Sequence, residues 1–237
     1  MTTVLIIALA SFILGYLFGS FPTGFFVGKL WNVDVRKHGS GRTGGTNVLR
    51  TVGWRAFTLT VIGDILKGVV PVLLARYFFP EYHSAHAATV LGVLLGHNWS
   101  IWIALLAKPD PNLKFAPPPL GWLQRIAQQG RGGAGVATTA GAVLAMFPPV
   151  PLLIAPIGIA ALLITRYASV GSLTAAILFP IVMLFFVLRG DVGWSYEILA
   201  IIVSIIVIVV HRPNIERLRA GNERRFGARL GQRQTKS

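Results

Sequence analysis

The chain has no cysteine in 237 residues, which excludes disulfides and thiolate chemistry. Acidic side chains are scarce as well, eight Asp and Glu against 22 Lys and Arg, for a formal net charge of +14. Charge of either sign makes up only 13% of the residues, where a soluble domain carries about 25%. Residues 1–28, 132–165 and 167–188 contain no Lys, Arg, Asp or Glu at all. Runs of this length exclude an ordinary soluble fold, since roughly 20 apolar residues cross a bilayer core. What remains is hydrocarbon: 54% hydrophobic residues and a mean hydropathy of +0.65. These numbers describe an integral membrane protein.

Hydrophobic stretches fall near residues 4–28, 56–75, 87–107, 136–165, 168–188 and 194–210. The first lacks a basic leader and a small-residue cleavage signal, so it reads as a retained span. The fourth is too long for one span and holds "MFPPVP" at 146–151. Proline cannot continue a helix ladder, so this run predicts a turn between two short spans. Charge favours the resulting count of seven helices over six. Residues 29–55 carry six basic and one acidic side chain, 108–131 four and one, and 211–237 eight and two. The short connections 76–86 and 189–197 sum to zero and minus one. Basic loops stay cytoplasmic. Seven spans with the N-terminus outside and the C-terminus cytoplasmic put all three basic segments on that side. The excess positive charge is thus assigned to membrane orientation, not to nucleic acid. The expected architecture is an all-α polytopic bundle over 1–210, with cytoplasmic loops 29–55 and 108–135 and a basic tail 211–237.

Three polar segments interrupt the hydrocarbon. "HGSGRTGGTNVLR" at 38–50 packs Gly39, Gly41, Gly44 and Gly45 among Ser40, Arg42, Thr43, Thr46, Asn47 and Arg50. Glycines let successive backbone amides form an anion-binding nest, which hydroxyl and guanidinium donors strengthen. The simpler reading is a basic loop touching anionic headgroups, with Thr46 or Asn47 capping the next helix. "GRGGAGVATTAG" at 130–141 repeats the pattern with Arg131, Gly132, Gly133 and Gly135, and opens into an apolar helix whose N-terminus suits an anion. Tight helix packing is the alternative use of its small residues. "HRPNIERLRAGNERRFG" at 211–227 follows the last stretch, with His211 and Asn214 able to share a helical face. Its arginines also serve as an anchor to anionic lipid.

Asp64 and Lys67 lie in the second stretch, as a packing ion pair or as support for a polar site. His97 near the inner end of the third is likewise either a packing residue or part of that site. Gly15 and Gly19, like Gly24 and Gly28, are spaced for close helix contact. His38, His86, His97 and His211 form no metal signature, so neither metal nor cofactor is expected.

In order along the chain, "SFPTGF" (20–25), "HGSGRTGGTNVLR", "GH" (96–97), "GRGGAGVAT" (130–138) and "HRPNIERLRAGNE" (211–223) resemble the bacterial acylphosphate-dependent glycerol-3-phosphate acyltransferase family. The resemblance implies a seven-span enzyme of phospholipid synthesis in the bacterial inner membrane. Its substrates would be acyl phosphate and glycerol 3-phosphate. By that resemblance Ser40, Arg50, His211 and Asn214 are the catalytic set. Gly41, Arg42, Gly44, Thr46, Asn47, Arg131, Gly132, Gly133 and Gly135 are the phosphate loops, with Asp64, Lys67 and His97 behind them. A monomer is expected. This chain has Arg42 where the family usually has asparagine, Gly45 for alanine, and Ala134 for a lysine expected to touch phosphate. Arg42 is the group positioned to supply that charge from the other loop. Residues 108–129 read as an insertion from which Lys114 or Arg125 can fold over the site. The competing functions are an impaired relative that binds lipid phosphate and a small anion transporter.

Overall fold

Proline and glycine cut the hydrophobic stretches into helices of unequal length. In the computed structural model, which describes residues 1–106 and 114–227, the first stretch runs as α1 (Thr2–Gly19) and α2 (Thr23–Leu30). Pro22 separates them because it has no N–H to continue the ladder. A 3-10 turn (Val35–Lys37) and the short α3 (Gly45–Thr51) lead to α4 (Trp54–Phe78). Then come α5 (His83–Asn98), α6 (Ile101–Leu106) and α7 (Leu120–Gln129). The "MFPPVP" run breaks its stretch as expected: α8 (Val136–Met146) stops before it, and α9 (Pro149–Thr165) begins with proline at its first position. The remaining helices are α10 (Ala168–Leu188), α11 (Trp194–Val210) and α12 (Arg212–Arg219).

The surface is inverted relative to a soluble protein. Leu5, Ile164 and Leu188 are 70%, 83% and 72% exposed, while Asp64, Lys67, His97 and Glu197 are buried. Charge turned inward and leucine turned outward suit hydrocarbon surroundings. The chain is an all-α, polytopic membrane helix bundle. The count of seven spans is met only in part. Among the described residues, Thr2–Leu30, Trp54–Phe78 and Ala168–Leu188 are long and apolar enough to cross a membrane. A fourth is reached if Trp194–Val210 and Arg212–Arg219, bent by 56°, count as one broken span. The other helices are short for the task; α8 has 11 residues and rises about 16 Å.

Where helices meet, glycine lets backbone touch backbone. A Cβ on Gly15 or Gly19 of α1 would run into the carbonyls of Thr89 and Val93 on α5. In return, Gly92 and Gly96 of α5 have no room against Phe12 and Tyr16. This is the close helix contact expected of Gly15 and Gly19. Gly24 and Gly28 serve differently, fitting α2 against Thr43 and Val33 of the following loop. Gly68 and Gly141 join α4 to α8 in the same manner as α1 joins α5. These tight pairs bring the end of α5, the start of α8 and the loop before α3 to one end of the bundle. The main apolar core runs beside them, from Val93 and Leu94 through Val143 to Phe179, Met183 and Val203.

Candidate functional site

The first loop is built around one amide. Asn47, buried on the first turn of α3, accepts a hydrogen bond at Oδ1 from the Ser40 N–H (3.0 Å). Its Nδ2 donates to the carbonyls of Val35 (2.9 Å), His38 (3.1 Å) and Arg42 (2.8 Å). Such a ring of bonds needs the chain to double back, and Gly39 and Gly41 permit it with φ of 61° and 69°. Neither Thr46 nor Asn47 caps the helix; the cap position is Gly44. Asn47 is therefore fully occupied within the loop. Asp34 and Arg36 brace the outer side through a 2.8 Å ion pair, which holds the Asp34 carboxyl down to about 2.

The second loop leans on α5. Gly132 N–H donates to the Asn98 carbonyl (3.0 Å), and Ser100 N–H to the Gly130 carbonyl (2.7 Å). A side chain at Gly132 would strike the His97 carbonyl, and one at Gly133 the His97 ring and the Gly44 Cα. The loops thus touch glycine to glycine. Behind the contact, His97 Nδ1 is hydrogen-bonded to Thr138 Oγ1 (2.9 Å) and lies 3.7 Å from Asp64 Oδ1. Asp64 pairs with Lys67 at 2.9 Å, and Lys67 Nζ donates to the Phe21 carbonyl at 2.7 Å. The ion pair is local, as its spacing suggests, and it also backs the loop through His97.

The third segment closes the site. His211 Nδ1 donates to the Val207 carbonyl at 2.8 Å, so a neutral ring has Nε2 left as an acceptor. Burial is the main cause pushing the His211 pKa down, with Arg42 adding to it and Glu223 opposing. Asn214 Nδ2 donates to Glu223 Oε1 (2.9 Å), Ser169 Oγ to the same oxygen (3.3 Å), and Arg217 Nε to Glu223 Oε2 (2.6 Å). Glu223, 3% exposed, ties the tail to α10 and α12. Ser169 and Glu223 are the residues that reasoning from sequence missed in these roles. The "GNE" acid was visible, but nothing in the sequence pairs it with a serine 54 positions earlier.

Arg42 joins all three segments. From the first loop it donates to the Gly133 carbonyl of the second (3.2 Å) and the Val210 carbonyl before the third (3.4 Å). Arg50 donates to the Arg224 carbonyl at 3.2 Å, while its buried Nε has no partner among the described residues. Both guanidiniums have their pKa lowered, first by burial and then by like charges: Arg131 and Arg217 for Arg42, Arg224 and Arg217 for Arg50.

These groups line one end of a cavity of about 1070 Å³. Ser40, Arg42, Thr46, Arg50, Asp64, His97, Arg131, Gly133, Gly135, His211 and Asn214 all reach it. Gly41, Gly132 and Lys67 do not, and stand behind the lining. Among the described residues, six arginines face it against two carboxylates, Asp64 and Glu223. The other end runs between α8, α9, α10 and α11 along Val143, Ile154, Gly158, Ala175, Phe179 and Val203. Neither expected cover closes the site. Arg125 stacks 5.5 Å from the Trp122 ring centroid and lines a smaller cavity, and Lys114 is exposed. The first part of the 108–129 insertion and the end of the 211–237 tail lie outside the described residues. The arrangement can hold an anion by many donors at one end and an alkyl chain at the other.

Comparison with known proteins agrees with this chemistry. A family model for glycerol-3-phosphate acyltransferase matches residues 9–106 and 118–221. The chain is 36% identical to a glycerol-3-phosphate acyltransferase of Alkaliphilus metalliredigens over 90% of its own length and 92% of the relative's. It is 38% identical to one from Prochlorococcus marinus, covering 88% and 92%. Two crystal structures of PlsY (YgiH), an integral membrane glycerol 3-phosphate acyltransferase, share the fold. The glycerol 3-phosphate form has TM-score 0.74 and 33% identity, over 92% of this chain and 95% of that one. The lysophosphatidic acid form has TM-score 0.72 and 32% identity, with the same coverage.

Proposed function

The chain belongs to the glycerol-3-phosphate acyltransferase family, and from that premise we propose how its residues move an acyl group. The reaction takes a fatty acyl group from acyl phosphate to the 1-hydroxyl of sn-glycerol 3-phosphate, giving 1-acylglycerol 3-phosphate and phosphate. The observation that carries the reading is the cavity with an arginine-rich end and an apolar end. Both substrates are phosphates and one carries an alkyl chain, so a single cavity of this kind fits the pair. Each buried methylene contributes about 0.8 kcal/mol.

Acyl phosphate is a mixed anhydride and already activated, so positioning and charge stabilisation supply most of the catalysis. Arg50, with a free buried Nε, and Ser40 bind phosphate. The amides beside Gly44, Thr46, Gly133 and Gly135 line the same end, and Asn47, Gly41 and Gly132 hold the loops in shape. Arg42 and Arg131 supply the positive charge that the family's lysine supplies from position 134. Asp64, Lys67 and His97 support the second loop. His211 Nε2 accepts a hydrogen bond from the attacking hydroxyl and orients it, while Asn214 is fixed by Glu223. The hydroxyl oxygen bonds to the acyl carbon, the acyl–phosphate bond breaks, and the proton passes to a phosphate oxygen. No acyl-enzyme and no cofactor enters the scheme.

The seven-pass topology, with the N-terminus outside and the site on the cytoplasmic face of the bacterial inner membrane, belongs to the same proposal. Its support is the basic character of 29–55 and 211–227 together with their shared position beside the cavity. The transmembrane bundle 1–210 and the tail 211–237 then form one working unit, since Arg50 binds the Arg224 carbonyl. Direct turnover tests the function. Protein in liposomes given palmitoyl phosphate and glycerol 3-phosphate is expected to release phosphate and lysophosphatidate in equal amounts. Folded protein that makes neither product overturns the assignment.

A further inference from the structure

α7 is built inside out for a helix beside water. Its apolar side chains Leu120, Trp122, Leu123, Ile126 and Ala127 occupy one half of the helical wheel, and Gln124, Arg125, Gln128 and Gln129 the other. The large side chains of the apolar half are exposed, Leu120 at 55%, Trp122 at 42% and Leu123 at 63%, with Ile126 half-buried; on the polar half Gln128 is exposed as well. On the polar half, Gln124 turns back to accept the Ala116 N–H at 2.9 Å, and Gln129 Oε1 is buried. Such a face has no favourable partner in water, and none among the described residues covers it.

Two further observations say what covers it. α7 packs against α6, which likewise exposes apolar side chains, Trp102 at 42%, Leu105 at 47% and Leu106 at 52%. Trp102 Nε1 in turn donates to the Leu17 carbonyl of α1 (3.4 Å), so this surface is continuous with a membrane-spanning helix. The sequence of the segment is also basic: Lys114, Arg125 and Arg131 are the only charged residue types in 114–131. Apolar side chains with an aromatic and flanking cations suit the boundary between anionic headgroups and acyl chains.

We infer that α7 is an interfacial helix, bedding Leu120 and Leu123 into the lipid at the site end of the bundle, at the mouth of the cavity. Its place at the mouth follows from Ala127 and Arg131, which line the cavity itself. The family model resumes only at residue 118, after a gap that opens at 107, so the approach to this helix belongs to this chain and not to the family pattern.

The absence of cysteine makes the test direct. Single variants Leu120→Cys, Leu123→Cys and, on the polar half, Gln128→Cys each receive an environment-sensitive fluorophore. The labelled full chain is reconstituted in vesicles of phosphatidylethanolamine and phosphatidylglycerol. At 120 and 123 the emission is expected to be blue-shifted, quenched by lipids brominated along the acyl chain, and insensitive to aqueous iodide. At 128 iodide is expected to quench. Iodide quenching at 120 and 123 overturns the inference. So does protection from both quenchers, which means that a protein surface, such as a second copy of the chain, covers the helix.

Discussion

The two glycine loops meet at Gly44 and Gly133, yet they keep their shapes by opposite means. The first is organised from within, by one asparagine that binds four backbone groups of its own loop. The second is moulded from outside, pressed onto the His97 ring and the Asn98 carbonyl until side chains no longer fit. Charge divides them too. Arg42 and Arg50 sit on the first loop, half-buried and buried, while the second offers exposed Arg131 and the small Ala134. The lesson is a division of labour: the self-organised loop can carry long charged side chains, whereas the moulded loop brings backbone amides close.

The strongest way to break that division is to remove the first loop's charge. Arg50→Ala is expected to lower kcat about 100- to 1,000-fold, the range for losing one preformed donor to developing charge. Phosphate release from palmitoyl phosphate reads it. Activity near the parent's would move the catalytic charge away from the first loop.

The next effect concerns which loop carries the second charge. Arg42→Asn removes both bridging bonds and, by the value of a charged hydrogen bond, costs about 1.5–3 kcal/mol, or roughly 10- to 150-fold in kcat/KM. Adding Ala134→Lys to that variant is expected to recover much of the loss, while the same change in the parent brings little. A double variant no better than Arg42→Asn alone would mean that the two positions do not share one role.

A third pair separates inner from outer support. Asn47→Ala leaves buried carbonyls and the Ser40 N–H without a partner and costs about 1–3 kcal/mol per group, seen as a lower melting temperature in detergent. Gly133→Ala crowds the His97 ring and Gly44 at a cost of about 1–3 kcal/mol. Its loss of activity is expected to exceed its loss of stability, because the loops are driven apart at the site. Equal losses of stability and activity in both variants would erase the distinction between the loops.

Much of this site was legible because its chemistry is local. Glycines, hydroxyls and arginines clustered within a dozen residues announce an anion site wherever the loop lands. Asn47 was legible as a member but not as the organiser, since its partners follow from φ at Gly39 and Gly41. Glu223 and Ser169 meet only through the tertiary fold. The apolar wall was hidden for another reason: α9 and α10 are hydrophobic all round, so no periodicity separates Ile154 and Phe179 from lipid-facing neighbours. Span counting met a related limit. Charge asymmetry reads sidedness, whereas α5, α8 and α9 are shortened by turns that bring the polar segments together.

The smallest expected effect tests the brace outside the first loop. Arg36 holds the Asp34 carboxyl down to about 2, below its ordinary 3.8. A pKa depressed in the folded state means that the carboxylate stabilises the fold above the unfolded value. That contribution is fully present at neutral pH, fades as pH falls below about 4, and is gone below about 2. Because the pair is partly open to solvent, Asp34→Asn is expected to cost no more than about 1 kcal/mol at neutral pH. The difference in melting temperature between variant and parent should therefore narrow on acidification and close near pH 2. A gap that persists there would mean that the shape of the Asp34 carboxyl, not its charge, holds the loop, since the Asn oxygen can still accept the Arg36 N–H as the carboxyl oxygen does. The first loop would then be braced by geometry on its outer side as it is by Asn47 on its inner side.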